Sequence, residues 1–163
     1  MSLQLNINMS QIKRLGARIQ ALGNIDRSEL LEGLAAEVES QTRRRLSDEK
    51  TAPDGTPWAA WTDDYAATRH GGHSLLESSG ALIDSIESVA SDDSVEIGSN
   101  LIYAAIHNLG GTEDMAPAPA GIPQREYLGF SDNNLADLQF VVDDFIDAAI
   151  DEHLNGFGKA GAL

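Results

Sequence analysis

His70 and His73 stand on either side of Gly71-Gly72, with Asp63 and Asp64 close upstream, and imidazoles with nearby carboxylates are the donor types of a divalent metal site. Metal-binding pairs usually sit on stiff elements, whereas two glycines between the donors maximise backbone freedom. The segment therefore reads as a flexible surface loop, and neither a metal nor any other cofactor is expected. Ser78-Ser79-Gly80 lacks the strand-to-helix setting of a nucleophile elbow, and no glycine-rich loop with its lysine is there to cradle phosphates. The chain has no cysteine, which removes thiolate nucleophiles, Cys-ligated zinc and disulfides together and fits a protein made in a reducing cytoplasm.

Four further residues could carry recognition. His107 follows the apolar run Tyr103-Ala104-Ala105-Ile106, and no serine, carboxylate or second histidine beside it completes a catalytic group. It reads as a structural imidazole that holds the Gly110-Gly111 turn or bonds across a subunit contact. Arg125 is the only arginine after Gly71, and a lone guanidinium among carboxylates is expected to be paired, within the chain or with a neighbouring subunit. Trp58 and Trp61 lie in a loop, where they either pin it to the protein's own core or dock a partner; pinning is the preferred reading, because tryptophan is well buried on average.

The elements that must position these residues are partly legible. Leu3, Leu5 and Ile7 alternate with polar residues, as in a short strand or an extended arm seeking a partner sheet. Ser10 can cap a helix with Ile12, Leu15, Ile19 and Leu22 on one face, ending at Gly23-Asn24. A second helix is predicted from about Ser28, with Leu30, Leu31, Leu34, Val38 and Leu46 at helical spacing and Arg43 to Arg45 in its last turn, where cations suit the helix dipole. Residues 47–74 read as a long loop, of the kind usually functional or ordered by a partner. Residues 75–89 are expected to pass from helix to strand, and Val95 and Ile97 to form a second strand after a turn at Asp92. Thr112 to Gly121 reads as a flexible excursion with two prolines and three alanines. Asn134 to Leu154 is the clearest helix, with Leu135, Leu138, Val142, Phe145, Ile146, Ala149 and Ile150 inward, and Asn155-Gly156 closing it before a tail at 155–163. The expected fold is α+β: a small, mainly antiparallel sheet packed with long N-terminal and C-terminal helices, an arm and helix at 1–27, and one domain at 28–154.

Charge is distributed unevenly. Through His70 nine Lys or Arg face ten Asp or Glu; from Gly71 onward Arg125 and Lys159 face sixteen acids, within a net charge of -15 over 163 residues. Such a surface repels phosphate backbones, which disfavours a classical DNA-binding module. A solvated acidic face is the simpler use of it. Nothing at the start reads as a signal peptide and no segment approaches a membrane span, so a soluble protein without a membrane partner is expected.

Four segments in order carry a resemblance. Pro53-Asp54-Gly55-Thr56-Pro57-Trp58 is similar to the Pro-Asp-Gly-x-x-Trp turn of the phage virion morphogenesis (tail completion) family. Ser79-Gly80-Ala81-Leu82 with Ser85-Ile86, Tyr103 through Gly111 (Tyr-Ala-x-x-His-x-x-Gly-Gly), and Ile122 through Gly129 (Ile-Pro-x-Arg-x-Phe-Leu-Gly) resemble its later segments. Glu126 stands where the family often has proline, and Tyr127 where it often has phenylalanine. The resemblance, over roughly Ser28 to Leu154, implies a non-enzymatic protein of the tail or neck of Mu-like, contractile-tailed phages. It implies action in tail completion and head-tail joining as a ring, hexameric by analogy, with tail terminator, tail tube and head connector proteins as partners. DNA would only pass through the channel, and an acidic lumen would let it slide. Trp58, Trp61, Tyr103, His107, Arg125 and Tyr127 are then the interaction residues expected. An acidic adaptor or DNA mimic, and a transient assembly factor, are the alternatives.

Overall fold

The computed structural model describes Gly23 and residues 27–91, 93–111 and 121–160, with side chains through Glu152. The predicted strand at Leu3–Ile7, the first helix, Asp92 and positions 112–120 lie outside the described residues.

Helix α1 (Arg27–Arg44) buries Ala35, Val38, Gln41 and Thr42 and is extended by one wider turn, Arg45–Glu49. Lys50, in the left-handed region at φ 54°, stops it: its amide returns to the Arg45 carbonyl, and its ammonium reaches the carbonyls of Leu46 and Leu75. After the loop come the one-turn helices α2 (Asp63–Ala66) and α3 (Ala81–Asp84), then strands β1 (Ile86–Ala90) and β2 (Val95–Ser99), helix α4 (Ala104–Leu109) and helix α5 (Asp132–Ala160). Among the described residues the sheet is this one antiparallel hairpin, in register from Ile86 opposite Ser99 to Ala90 opposite Val95. Alternation along β1 buries Ile86 and exposes Glu87 and Val89, as a strand with one covered face requires. Helix α1 packs against the hairpin and against α5, so the expected small α+β architecture is what forms. Among the described residues no helix is long and apolar enough to cross a membrane.

The core lies around the end of α1 rather than along it: Leu46, Trp58, Leu82, Ile86, Ala104 and Tyr127 form one cluster. A polar fastener runs beside it. Arg45 is 1% exposed and donates to the carbonyls of Tyr127 (3.0 Å) and Gly129 (2.8 Å) and to Asn134 Oδ1. Asn134 Oδ1 also accepts from the Ser131 amide (3.1 Å), and Ser131 Oγ accepts from the Asn134 amide (3.1 Å), a reciprocal cap that starts α5. Gly129 is required in the same corner. Its φ is 147°, and a Cβ there would meet Pro53 Cγ at 2.6 Å.

Several boundaries differ from the sequence reading. Arg45 does not face solvent in a last helical turn but is buried, its fork donating to three acceptors of which the Tyr127 carbonyl would otherwise be stranded. The 47–74 loop contains α2, and residues 45–49 are helical. The terminal helix runs through Asn155-Gly156 and Gly158 to Ala160, the two glycines each costing only about 1 kcal/mol relative to alanine. Leu135 is 53% exposed rather than inward, because the buried stripe of α5 runs through Asn134, with the hydrogen-bonded amide taking the inward position.

Candidate functional site

Three stretches distant in sequence meet around a cleft of about 540 Å³. The loop before α3 supplies one wall. Thr62 Oγ1 accepts from the Tyr65 amide at the start of α2, and Thr68 Oγ1 donates to the Tyr65 carbonyl at 2.7 Å, so a single turn holds Tyr65 in place. Trp61 meets Tyr65 edge to face, with ring centroids 5.9 Å apart, and the Arg69 guanidinium lies 4.4 Å from the centre of the Tyr65 ring. That spacing suits a cation-π contact. The Ser74–Glu77 turn, closed by two backbone bonds and fastened by Lys50 to Glu77 at 3.2 Å, continues the wall.

Helix α4 and the segment behind it supply the rest. Tyr103 and His107, one turn apart, stand edge to face at 5.9 Å. The 122–128 segment is tied down on both sides. The Arg125 amide donates to the His107 carbonyl (2.8 Å), Asn108 Oδ1 accepts from the amides of Tyr127 and Leu128, and Tyr127 Oη donates to the Ala104 carbonyl (3.0 Å). On the far side Trp58 Nε1 donates to the Glu126 carbonyl (3.0 Å), while Arg125 Nε and Nη2 donate to the carbonyls of Ala59 and Ala60. Arg125 is thus paired within the chain, with carbonyls rather than a carboxylate.

Trp61, Tyr103 and His107 line the cleft; Arg125 also lines it while being 5% exposed. Trp58 and Tyr127 sit in the core beside it and hold its walls. Sequence reading missed Arg69, whose i, i+4 spacing from Tyr65 was the available signal. His70 is exposed, and among the described residues no group of three or more His, Asp or Glu could hold a metal ion.

The electrostatics favour binding over proton transfer. Burial, and then the Arg125 charge, pull the His107 pKa down, which favours the uncharged ring. Its Nδ1, like that of His73, is buried without a hydrogen-bond partner. Glu77, the carboxylate lining the cleft, is held below its usual range by the Ser74 hydroxyl and by Lys50, so it is committed and ionised. Arg69 and Arg125 thereby leave the cleft locally cationic within an acidic chain.

A family model, that of the phage virion morphogenesis family, matches residues 7–147. The chain belongs to this family. A relative from Escherichia phage Mu, named "Putative capsid assembly protein G", is 38% identical over 134 residues, which cover 79% of this chain and 85% of its own. No solved structure matches. The chain is therefore a phage virion morphogenesis protein, associated with the virion and its assembly. Three of the four segments that carry the family resemblance line the cleft, and the fourth ends in Trp58 beside it.

Proposed function

We propose that this virion morphogenesis protein is a non-enzymatic structural subunit of the phage neck or tail. It completes the tail and joins it to the head as a ring, hexameric by analogy with other neck and tail rings. The observation that carries the reading is the family match across 7–147, with family segments gathered around one cleft. The cleft contributes a recognition surface: Trp61, Tyr103 and Arg69 offer aromatic faces and a cation to a tail terminator, tail tube or head connector protein. The acidic face of α5, including Asp143, Asp144 and Asp147, is exposed and repels DNA, which suits a channel that DNA only crosses. The assembled particle is the expected location, after synthesis in the bacterial cytoplasm.

The Mu relative's name, which refers to capsid assembly, favours a second reading, an assembly factor that leaves before the particle matures. Imaging particles made with and without the protein separates the two. Density for a ring at the head-proximal end of the tail, with unjoined heads and tails in its absence, is the expected result. Protein-free mature particles whose formation nevertheless depends on it would favour the transient factor.

A further inference from the structure

The two edges of the β1–β2 hairpin are treated differently. On β1, Arg43 Nη2 donates to the Ile86 carbonyl at 2.7 Å, and Glu39 Oε2 accepts from the Ser88 amide at 3.0 Å; Arg43 and Glu39 are themselves paired at 2.9 Å. Two outward backbone groups of β1, the Ile86 carbonyl and the Ser88 amide, are therefore occupied by side chains from α1. Ser88 lies opposite Ile97, and in an antiparallel ladder the members of such a pair point away from each other. The amide and carbonyl of Ile97 consequently face outward along β2, and among the described residues no other strand pairs there. An open edge of this kind is a template for another strand, and a two-stranded hairpin gains most from one.

We propose that the open edge of β2 accepts residues 3–7 of a second copy of this chain as a third strand. The arm is five residues long, as is Val95–Ser99. Its alternation would set Leu3, Leu5 and Ile7 on the face that Val95 and Ile97 turn toward α1, covering apolar surface with apolar side chains. Gln4 and Asn6 would fall on the opposite face beside the exposed Glu96, where amide donors meet a carboxylate. The chain carries no charged side chain before Lys13, so the arm's side chains bring no repulsion to an acidic hairpin. Arm and edge are different surfaces of one subunit, so the contact is head to tail and propagates to a closed ring or a filament. The inference rests on reading the chain as a self-assembling subunit, and supplies the contact that this reading lacks.

The absence of cysteine makes a clean test possible in the 163-residue chain. Asn6→Cys and Glu96→Cys are made separately, mixed, and treated with a short bismaleimide while light scattering follows the assembled mass. Oligomers with mixed cross-linked dimers, absent from either variant alone, are the expected result; adding Leu5→Asp to the Asn6→Cys chain should lower their yield about tenfold by placing a charge against apolar surface. Oligomers without mixed dimers would overturn the arm-to-edge contact and leave self-assembly standing. A monomer at all concentrations would overturn both. In a chain carrying both cysteines, cross-linking within one chain at high dilution would assign the edge to the protein's own arm and overturn the exchange between copies.

Discussion

Replacing Arg45 by methionine tests whether one buried guanidinium fastens α1 to the 127–134 corner. Methionine keeps most of the length and the apolar stem but donates nothing, so the Tyr127 and Gly129 carbonyls and Asn134 Oδ1 each lose a bond. Asn134 Oδ1 keeps the Ser131 amide, and the Gly129 carbonyl is only partly buried. The Tyr127 carbonyl is thus the group most fully stranded, at about 1–3 kcal/mol, with smaller terms from the other two. Relief of the buried charge, which Glu49 offsets only from 3.7 Å, gives part of this back. The expected net loss is about 3 kcal/mol, or about 6–12 °C in Tm for a chain of this size. Equilibrium urea unfolding followed by circular dichroism measures it, with an unchanged m value showing that the folded and unfolded surfaces are otherwise alike. Arg45→Lys, which keeps the charge but not the planar fork, should fall between the two. A loss below about 1 kcal/mol for Arg45→Met would refute the fastening argument.

Tyr127→Phe removes the hydroxyl bonded to the Ala104 carbonyl and should cost about 1–2 kcal/mol in the same urea assay. Gly129→Ala should cost more, about 2–4 kcal/mol, because the new methyl meets Pro53 in a backbone region that L residues avoid; a neutral result would mean that Pro53 yields freely. Acidification should weaken the fold through His107. Its folded pKa lies below the unfolded value of about 6.5, so the unfolded chain takes up the proton first, and stability falls as pH drops from about 6.5 toward the lowered folded pKa. Stability-pH curves for wild type and His107→Gln check this, the variant being flatter in that window. Trp61→Ala with Tyr103→Ala should leave Tm within about 2 °C while abolishing particle complementation, since Trp61 is half-buried and Tyr103 is 39% exposed; a large fall in Tm with assembly intact would show that both serve only the fold.

The hairpin and the two long helices were legible because their signals are local. Val95 and Ile97 alternate with polar residues, Leu30 to Val38 recur at helical spacing, and the last helix carries a continuous apolar stripe. The cleft was legible only in pieces. Trp61, Tyr103, His107 and Arg125 could be named individually, but Trp61 and Arg125 are 64 positions apart, and nothing in their spacing says that the Ala59 and Ala60 carbonyls receive the Arg125 fork. Arg43 to Arg45 illustrate the same limit, being alike on paper. In space Arg43 seals the edge of β1, Arg44 pairs with Glu49 at 3.0 Å, and Arg45 is buried.

By itself the sequence determined the α+β class, the uneven acidic charge, the absence of thiol chemistry and membership of a virion morphogenesis family. These depend on periodicity, composition and ordered motifs, which survive without knowledge of any long-range contact. Tertiary structure alone decided which aromatic residues are core and which face the cleft, that burial lowers the His107 pKa, and which edge of the hairpin is left unpaired among the described residues. Each of these depends on desolvation or on a hydrogen-bond partner brought from far along the chain, and neither is written at the position it changes.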